Sequence, residues 1–332
     1  MIYPQEINTI YTTNRTKGGR IMFNTLVSTE LMDKTEWLAW RNKGIGGSDA
    51  SVICGINKYK SVVELWMEKT GQIELKEAGE AAYWGTILEP IIREEFTKRT
   101  GIEVGIEKSI LQHPEYPFML ANLDGVIIDP VKKCGLIFEA KTASIYNADE
   151  WELDIPEHYQ LQVQHYMAVT GFIGAYVAVL IAGNQYKYYY IERDEEIIKL
   201  LIRLEKIFWD CVEKKKPPKL DGSKACSDLL NRLYPIGTSK QVISLPDEAL
   251  TLIQQYEEAK ASEEEAVLKK DEATNKLKDI LGESELATVN GRIVSWINVS
   301  AERLNSKALK EEKPEIYSQY VSKSTYRRFG IK

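Results

Sequence analysis

The sequence is poor in the residues that usually announce a transition-metal or redox centre. Its 332 residues include four cysteines (Cys54, Cys134, Cys211, Cys226), none in a CxxC pair, and only three histidines (His113, His158, His165). That spacing argues against a Cys/His zinc site, and incidental thiols in a reduced cytoplasm are the simpler expectation. Long apolar runs are also missing. No stretch approaches the roughly 20 residues of a membrane span, and MIYPQEINTIYTTNRTKGGR at the start has no apolar signal core. Positive charge is not in excess either: 43 Lys and Arg against 49 Asp and Glu leave a formal net charge of −6. A simple basic coat for nucleic acid or anionic membrane is thereby excluded. An acidic enzyme that holds metal ions and has one local basic surface is not.

What is present is enough apolar material, 44 % of residues, for a packed core and for two domains. Residues 1–30 read as a polar arm and 31–216 as the first domain. The run Lys214-Lys215-Lys216-Pro217-Pro218-Lys219 opens a linker over 217–243. An accessory domain of helix and hairpin fills 244–332.

Within the first domain, helices are expected at Glu36–Arg41, from Ala50, at Ser61–Thr70, at Ala81–Thr100, over 156–171 and at Asp194–Glu213. Strands are expected at Gly101–Val104, Ser109–Leu111, Met119–Ile128, Gly135–Thr142, Ala175–Ala182 and Tyr186–Ile191. Mixed strands wrapped by helices indicate an α/β or α+β layer architecture. In the second domain, Pro246–Leu281 reads as a long helix suited to a helical hairpin or coiled coil. Asn290-Gly291 marks a β-hairpin.

Glu-x-Lys occurs five times, at Glu74/Lys76, Glu139/Lys141, Glu213/Lys215, Glu258/Lys260 and Glu311/Lys313. Only Glu139/Lys141 sits in an apolar strand, where alternation puts both side chains on one face. Asp124 and Glu139 are symmetric about the turn-rich stretch Asp129–Cys134. A hairpin there sets the two carboxylates nearly opposite each other. Facing carboxylates repel, and a bound hard cation resolves the conflict with oxygen ligands. A strand-edge salt bridge between Lys141 and an acid is the plainer alternative. With a cation, the set suits phosphodiester hydrolysis.

Asp124-x14-Glu139-x-Lys141 resembles the core of the PD-(D/E)XK nucleases. Further motifs resemble their YqaJ-type viral recombinase branch, related to phage lambda exonuclease. In order they are Trp37-x2-Trp40-Arg41-x2-Gly44-Ile45-Gly46-Gly47-Ser48-Asp49, Trp84-Gly85-x3-Glu89, Leu123-Asp124-Gly125, Phe138-Glu139-Ala140-Lys141-Thr142, Tyr159-x2-Gln162-Val163-Gln164-x2-Met167-Ala168-Val169-Thr170-Gly171 and Ile191-Glu192-Arg193-Asp194. They run in register from about residue 33 to 222. Leu123 stands where the motif's name expects proline, and Asn122 where the lambda enzyme has a serine near the scissile end.

The resemblance implies a restriction-endonuclease-like core, a mixed central sheet flanked by helices, with a mainly helical C-terminal extension carrying a β-hairpin. It implies a Mg²⁺-dependent 5′→3′ exonuclease (Mn²⁺ as substitute, two ions per site) that acts on double-stranded DNA ends and produces 5′-phosphomonoesters. The 3′ single strand it leaves would pass to a RecT-type annealing protein in phage-type recombination. A homo-oligomer, a trimer by analogy, in the cytoplasm of a bacterial or phage-infected host cell completes the picture, with no membrane partner.

Carried over residue by residue, the resemblance makes Asp124, Glu139 and the backbone carbonyl of Ala140 metal ligands. Glu89 joins through the helix Ala81–Thr100, Lys141 activates water, and Gln162 lines the site with Tyr166 one helical turn on. Arg41 and Ser48 match positions that hold a 5′-terminal phosphate. Without the family, Arg41 is a helix C-terminal charge, Glu89 an exposed carboxylate, and His165 and Gln160 packing or surface residues. Tyr326-Arg327-Arg328-Phe329 suits either stacking on nucleic acid or a plain edge strand. Two other readings stay open: an end-independent PD-(D/E)XK endonuclease, and a non-catalytic DNA-end-binding scaffold. Residues 247–285 hold 12 acidic and five basic side chains. The remaining chain is therefore close to neutral, and free to present a basic track.

Overall fold

The computed structural model describes residues 23–74, 79–129, 134–237 and 242–331. They form two compact units that divide between Leu233 and Tyr234. In the first, β1 (Asn24–Ser28) pairs antiparallel with β2 (Ser109–Gln112), which pairs with the short β3 (Leu120–Ala121). Helices α1 (Lys34–Arg41), α2 (Gly47–Ile53), α3 (Val62–Lys69) and α4 (Glu80–Thr100) fill the interval between β1 and β2.

A second, four-stranded sheet has the order β4 (Gly125–Asp129), β5 (Cys134–Ala143), β6 (Gly174–Ile181), β7 (Gln185–Glu192). β4 and β5 are antiparallel, β5 and β6 parallel, and β6 and β7 antiparallel. The parallel pair needs a long crossover. A 3₁₀ turn (Ile145–Trp151) and α5 (Glu157–Thr170) supply it. Gly171, at φ 72°, takes the left-handed position that ends α5 and returns the chain to β6. Asp194 then caps α6 (Glu195–Glu213) by accepting from the N–H groups of Glu196 and Ile197.

Alternation along the strands splits the core in two. Ile137, Val177 and Val179 pack with Val163 and Met167 of α5 on one face. Phe138 and Ala178 pack with Ile92 and Phe96 of α4 on the other. The sheet is therefore a layer between α5 and α4, the mixed sheet flanked by helices that the sequence suggested. A third cluster joins Ile45 and Val52 to Leu65, Trp66 and Phe208.

Several local expectations change. Residues 24–28 lie in the stretch read as an arm but form β1, because their N–H and C=O groups complete the edge of β2. Met119–Ile128 is not one strand. Asn122–Asp124 break it, so β3 and β4 enter different sheets. Gly101–Val104 is irregular, with one bridge from Gly105 to Val126. Helix α7 (Lys224–Leu233) lies within the expected linker. Its buried Ala225, Cys226 and Leu229 form one apolar stripe, and Arg232 meets Glu64 at 2.6 Å.

The second unit contains α8 (Glu248–Leu281), one unbroken 34-residue helix where the sequence predicts a long one. No Gly or Pro interrupts it, and pairs such as Lys269–Glu265 (2.6 Å) and Lys276–Glu272 (2.5 Å) link successive turns. Hairpin β8 (Leu286–Val289)–β9 (Arg292–Ser295) turns at Asn290-Gly291, both at positive φ, as that dipeptide predicts. Helices α9 (Ser306–Glu312) and α10 (Pro314–Tyr320) follow. Ser324–Phe329 is irregular rather than an edge strand, with the Phe329 ring 5.9 Å from that of Tyr256.

Candidate active site

The β4–β5 register pairs Gly125 with Phe138. One step further along the hairpin puts Asp124 opposite Glu139, as the symmetry about the turn required, although residues 130–133 of that turn lie outside the described ones. Glu139 and Lys141 share the α5 face of β5. They line a cavity of ≈500 Å³ together with Asp124, Ala140, Glu89 on α4, Gln162 and Tyr166 on α5, and Arg41 and Ser48. Every residue that the resemblance assigns to the site therefore reaches one cavity.

Glu139 is 2 % exposed. Its Oε1 accepts from Lys141 Nζ at 2.6 Å and from Gln162 Nε2 at 2.6 Å. Its Oε2 is buried and has no hydrogen-bond partner among the described residues. Burial first, then repulsion from Asp124, pushes the Glu139 carboxyl up to about 8 against the pull of Lys141. Burial and Asp124 likewise push Glu89 up to about 7, with Arg93 opposing. Asp124 is raised by burial, less so because Lys141, the Ala140 N–H and Arg93 favour its charge. Ala140 N donates to Asp124 Oδ2 at 2.9 Å. Although burial disfavours its charge, Lys141 is held protonated by Glu139 and Asp124.

Lys141 is fixed on three sides: by Glu139, by Gln162 Oε1 at 3.1 Å, and by the Tyr159 ring, whose centroid lies 4.7 Å from Nζ. Gln162 spends its second amide proton on Tyr166 Oη at 3.1 Å.

Sequence reasoning missed Arg93, whose Nη1 donates to Glu89 Oε1 (3.1 Å) and to the Asp124 carbonyl (2.9 Å). Its spacing of four from Glu89 was the available signal. Glu89 is consequently an ion-paired, half-buried carboxylate rather than an exposed one.

At the other end of the cavity, Arg41 Nη2 donates to Ser48 Oγ at 2.7 Å, and the Arg41 guanidinium lies 4.9 Å from the Trp37 ring centroid. Below them Asp49 Oδ2 accepts from Gly46 N (3.1 Å) and from Lys69 Nζ (2.9 Å). Gly47 packs so closely on α5 that an added Cβ would sit 2.5 Å from the Tyr166 ring and 3.0 Å from the Gln162 carbonyl. His165 is fully buried behind the cavity, between Glu205 (2.8 Å) and the Leu120 carbonyl (2.9 Å), a packing residue as expected.

Among the described residues, no group of three or more His, Cys, Asp or Glu side chains is arranged as a finished metal shell. The chemistry of the donors still fits a hard cation. Two buried carboxylates repel each other, and one buried carboxylate oxygen lacks any donor. No helix among the described residues is long and apolar enough to cross a membrane.

A family model described as the YqaJ-like viral recombinase domain matches residues 36–173. Over 312 residues the chain is 41 % identical to the uncharacterized protein YqaJ of Bacillus subtilis (strain 168), covering 92 % of this chain and 97 % of that one. Among solved structures it is similar to the alkaline exonuclease LHK-Exo of Laribacter hongkongensis. There the identity is 20 % and the TM-score 0.44, over 61 % of this chain and 100 % of that one. It is also similar to a phage-related exonuclease of Haemophilus somnus 129PT. In that case the identity is 16 % and the TM-score 0.42, over 54 % of this chain and 99 % of that one.

Proposed function

The chain belongs to the YqaJ-like viral recombinase family, and on that footing we propose that it is a Mg²⁺-dependent deoxyribonuclease degrading duplex DNA 5′→3′ from its ends. One observation carries the reading: the buried, donorless Glu139 Oε2 beside Asp124, with Lys141 clamped at the other Glu139 oxygen. A salt bridge built only for stability has no use for a second carboxylate facing the first, or for an oxygen left without a donor.

Asp124, Glu139 and the Ala140 carbonyl would hold the ion, with Glu89 contributing from α4; Mn²⁺ has the same oxygen preference. When bound, the ion supplies Lewis acidity toward a phosphoryl oxygen and makes water a better nucleophile.

The remaining steps belong to this chain. Lys141 Nζ orients the water that attacks phosphorus. Gln162 and the Tyr159 ring keep the ammonium on that line. The bond from phosphorus to O3′ breaks, the 3′-oxygen leaves with a proton, and the 5′-phosphate stays on the shortened strand. Arg41 and Ser48 hold the terminal 5′-phosphate, a role suited to a guanidinium. A homo-oligomer working with a RecT-type annealing protein in the cytoplasm is part of the same reading.

Linear and covalently closed duplexes test it directly. Linear DNA with 5′-phosphates should be degraded to 5′-mononucleotides with Mg²⁺, and closed circles should survive. Cleavage of the circles would replace the end-dependent reading with an endonuclease, and no cleavage of either would leave a binding protein.

A further inference from the structure

A second cavity, of ≈250 Å³, adjoins the catalytic one and shares Ala81, Thr142 and Tyr159 with it. Its remaining walls come from the 3₁₀ turn, from the first turn of α5 and from the 56–59 loop. They include Tyr59, Asn147, Trp151 and His158. Nothing in the proposed hydrolysis uses them. The cavity is aromatic on several sides. The Tyr159 and Trp151 ring centroids are 5.4 Å apart at 31°, and the His158 ring lies 4.0 Å from Tyr159.

Three of its polar groups are uncommitted. The His158 ring, the Asn147 amide and the Ser144 hydroxyl make no side-chain hydrogen bond among the described residues. Burial lowers the His158 pKa, so near neutral pH the ring offers one donor and one acceptor without charge. Lys58, the cation on the rim, is already paired with Glu150 at 2.9 Å. A phosphate or other anion therefore finds no free charge here. Trp151, Tyr159 and His158 pack on one another, and the ring left open on this wall is Tyr59, 77 % exposed; a flat, uncharged ligand with donors and acceptors around its edge finds that face and these partners.

We propose that this cavity receives a nucleobase of the strand being cut, stacked on the Tyr59 ring and read at its edge by His158 and Asn147. The inference rests on the nuclease reading for the source of the base. One side chain, Tyr159, separates the base site from the Lys141 ammonium. Each nucleotide would thus be anchored by its base as its phosphodiester meets Lys141.

The test compares binding of thymidine and deoxyadenosine 5′-monophosphates with that of 2-deoxyribose 5-phosphate, by calorimetry on the full chain. The nucleotides should bind about tenfold tighter than the sugar phosphate, the size of the two edge hydrogen bonds to His158 and Asn147. In His158→Leu and, independently, in Asn147→Ala, the gap should shrink to under about threefold with sugar-phosphate affinity unchanged. A parallel assay sets duplexes with an abasic terminal nucleotide against ordinary ones. The wild type should cut the abasic end about tenfold more slowly, and the variants should cut both alike.

Equal or unmeasurable binding of base-bearing and base-free ligands by the wild type overturns the base site, as does a gap that survives in both variants. If no DNA is cut yet the binding gap exists and collapses in the variants, the nuclease reading fails and the base site stands.

Discussion

Gln162 and Glu139 are joined by a 2.6 Å hydrogen bond in which the amide donates to the same carboxylate oxygen that Lys141 holds. Its amide oxygen at the same time accepts from Lys141. One side chain of α5 thus sets the geometry of an ion pair on β5. Gln162→Ala leaves Lys141 free to swing, and displacements of about 1 Å cost on the order of 100-fold in rate. The expected result is kcat down about 10–100-fold with KM within about threefold, read from steady-state degradation of linear duplex. A rise in KM at unchanged kcat would assign Gln162 to substrate binding instead.

Lys141→Met keeps the aliphatic stem and removes the ammonium. Loss of the ammonium that positions the attacking water lowers kcat by about 10²–10³. DNA-end binding in a mobility-shift assay should persist. Cleavage at near wild-type rate would dismiss Lys141 from the chemistry.

Ion binding should be linked to a proton. Burial and repulsion from Asp124 push the Glu139 carboxyl up in the ion-free protein, so its ionised form there is stabilised less than it would be beside a cation. A bound cation needs the carboxylate, so loading should release protons, and affinity should rise as pH increases through 7 to 8. Calorimetry of Mn²⁺ binding in buffers of different ionisation enthalpy measures this. Asp124→Asn should abolish the binding, and a chelator should stop cleavage.

Arg41→Ala should slow degradation of 5′-phosphorylated ends by about tenfold or more, and that of 5′-hydroxyl ends far less, since a charge-assisted contact is lost only on the former. Equal loss on both ends refutes a phosphate role for Arg41.

Asp49 gives a stability prediction independent of catalysis. Burial alone would raise its carboxyl, but Lys69, Arg41 and the Gly46 N–H outweigh it and hold it at about 2. A depressed carboxyl stabilises the fold above its unfolded value near 3.8 and loses that contribution as pH falls through about 2. The loss between pH 4 and pH 2 should be under about 2 kcal/mol in urea unfolding. Asp49→Asn should lack this component. It should also be about 3 kcal/mol less stable at pH 7, because Lys69, 5 % exposed at its side chain, keeps a buried charge without its partner.

The facing of Asp124 and Glu139 was legible because hairpin pairing is local: two positions symmetric about one turn must meet. Glu139 with Lys141, and Gln162 with Tyr166, were legible from the periods of strand and helix. Which face of α5 reaches β5 was not, since that depends on how Val163 and Met167 pack against Ile137 and Val177. The Asp49–Lys69 pair needs α3 to lie beside α2, a tertiary fact with no pattern in sequence. Strand β1 was missed because NTLVS has little apolar alternation, and only its partner β2 makes it a strand. Helix α7 was hidden by the lysine–proline run before it, although Ala225, Cys226 and Leu229 already made an apolar stripe.

Gly47 leaves no slack between helix α2, which carries Ser48, and the helix that carries Gln162: the Tyr166 ring fills the space where a methyl group would stand. On the proposed reading, the place that grips the strand's end and the place that cuts it are therefore held at a constant gap. A constant gap is a ruler. One nucleotide per cut would follow from that spacing, and a methyl group at Gly47 would push the phosphodiester out of line with Lys141 and slow its cleavage without changing the product.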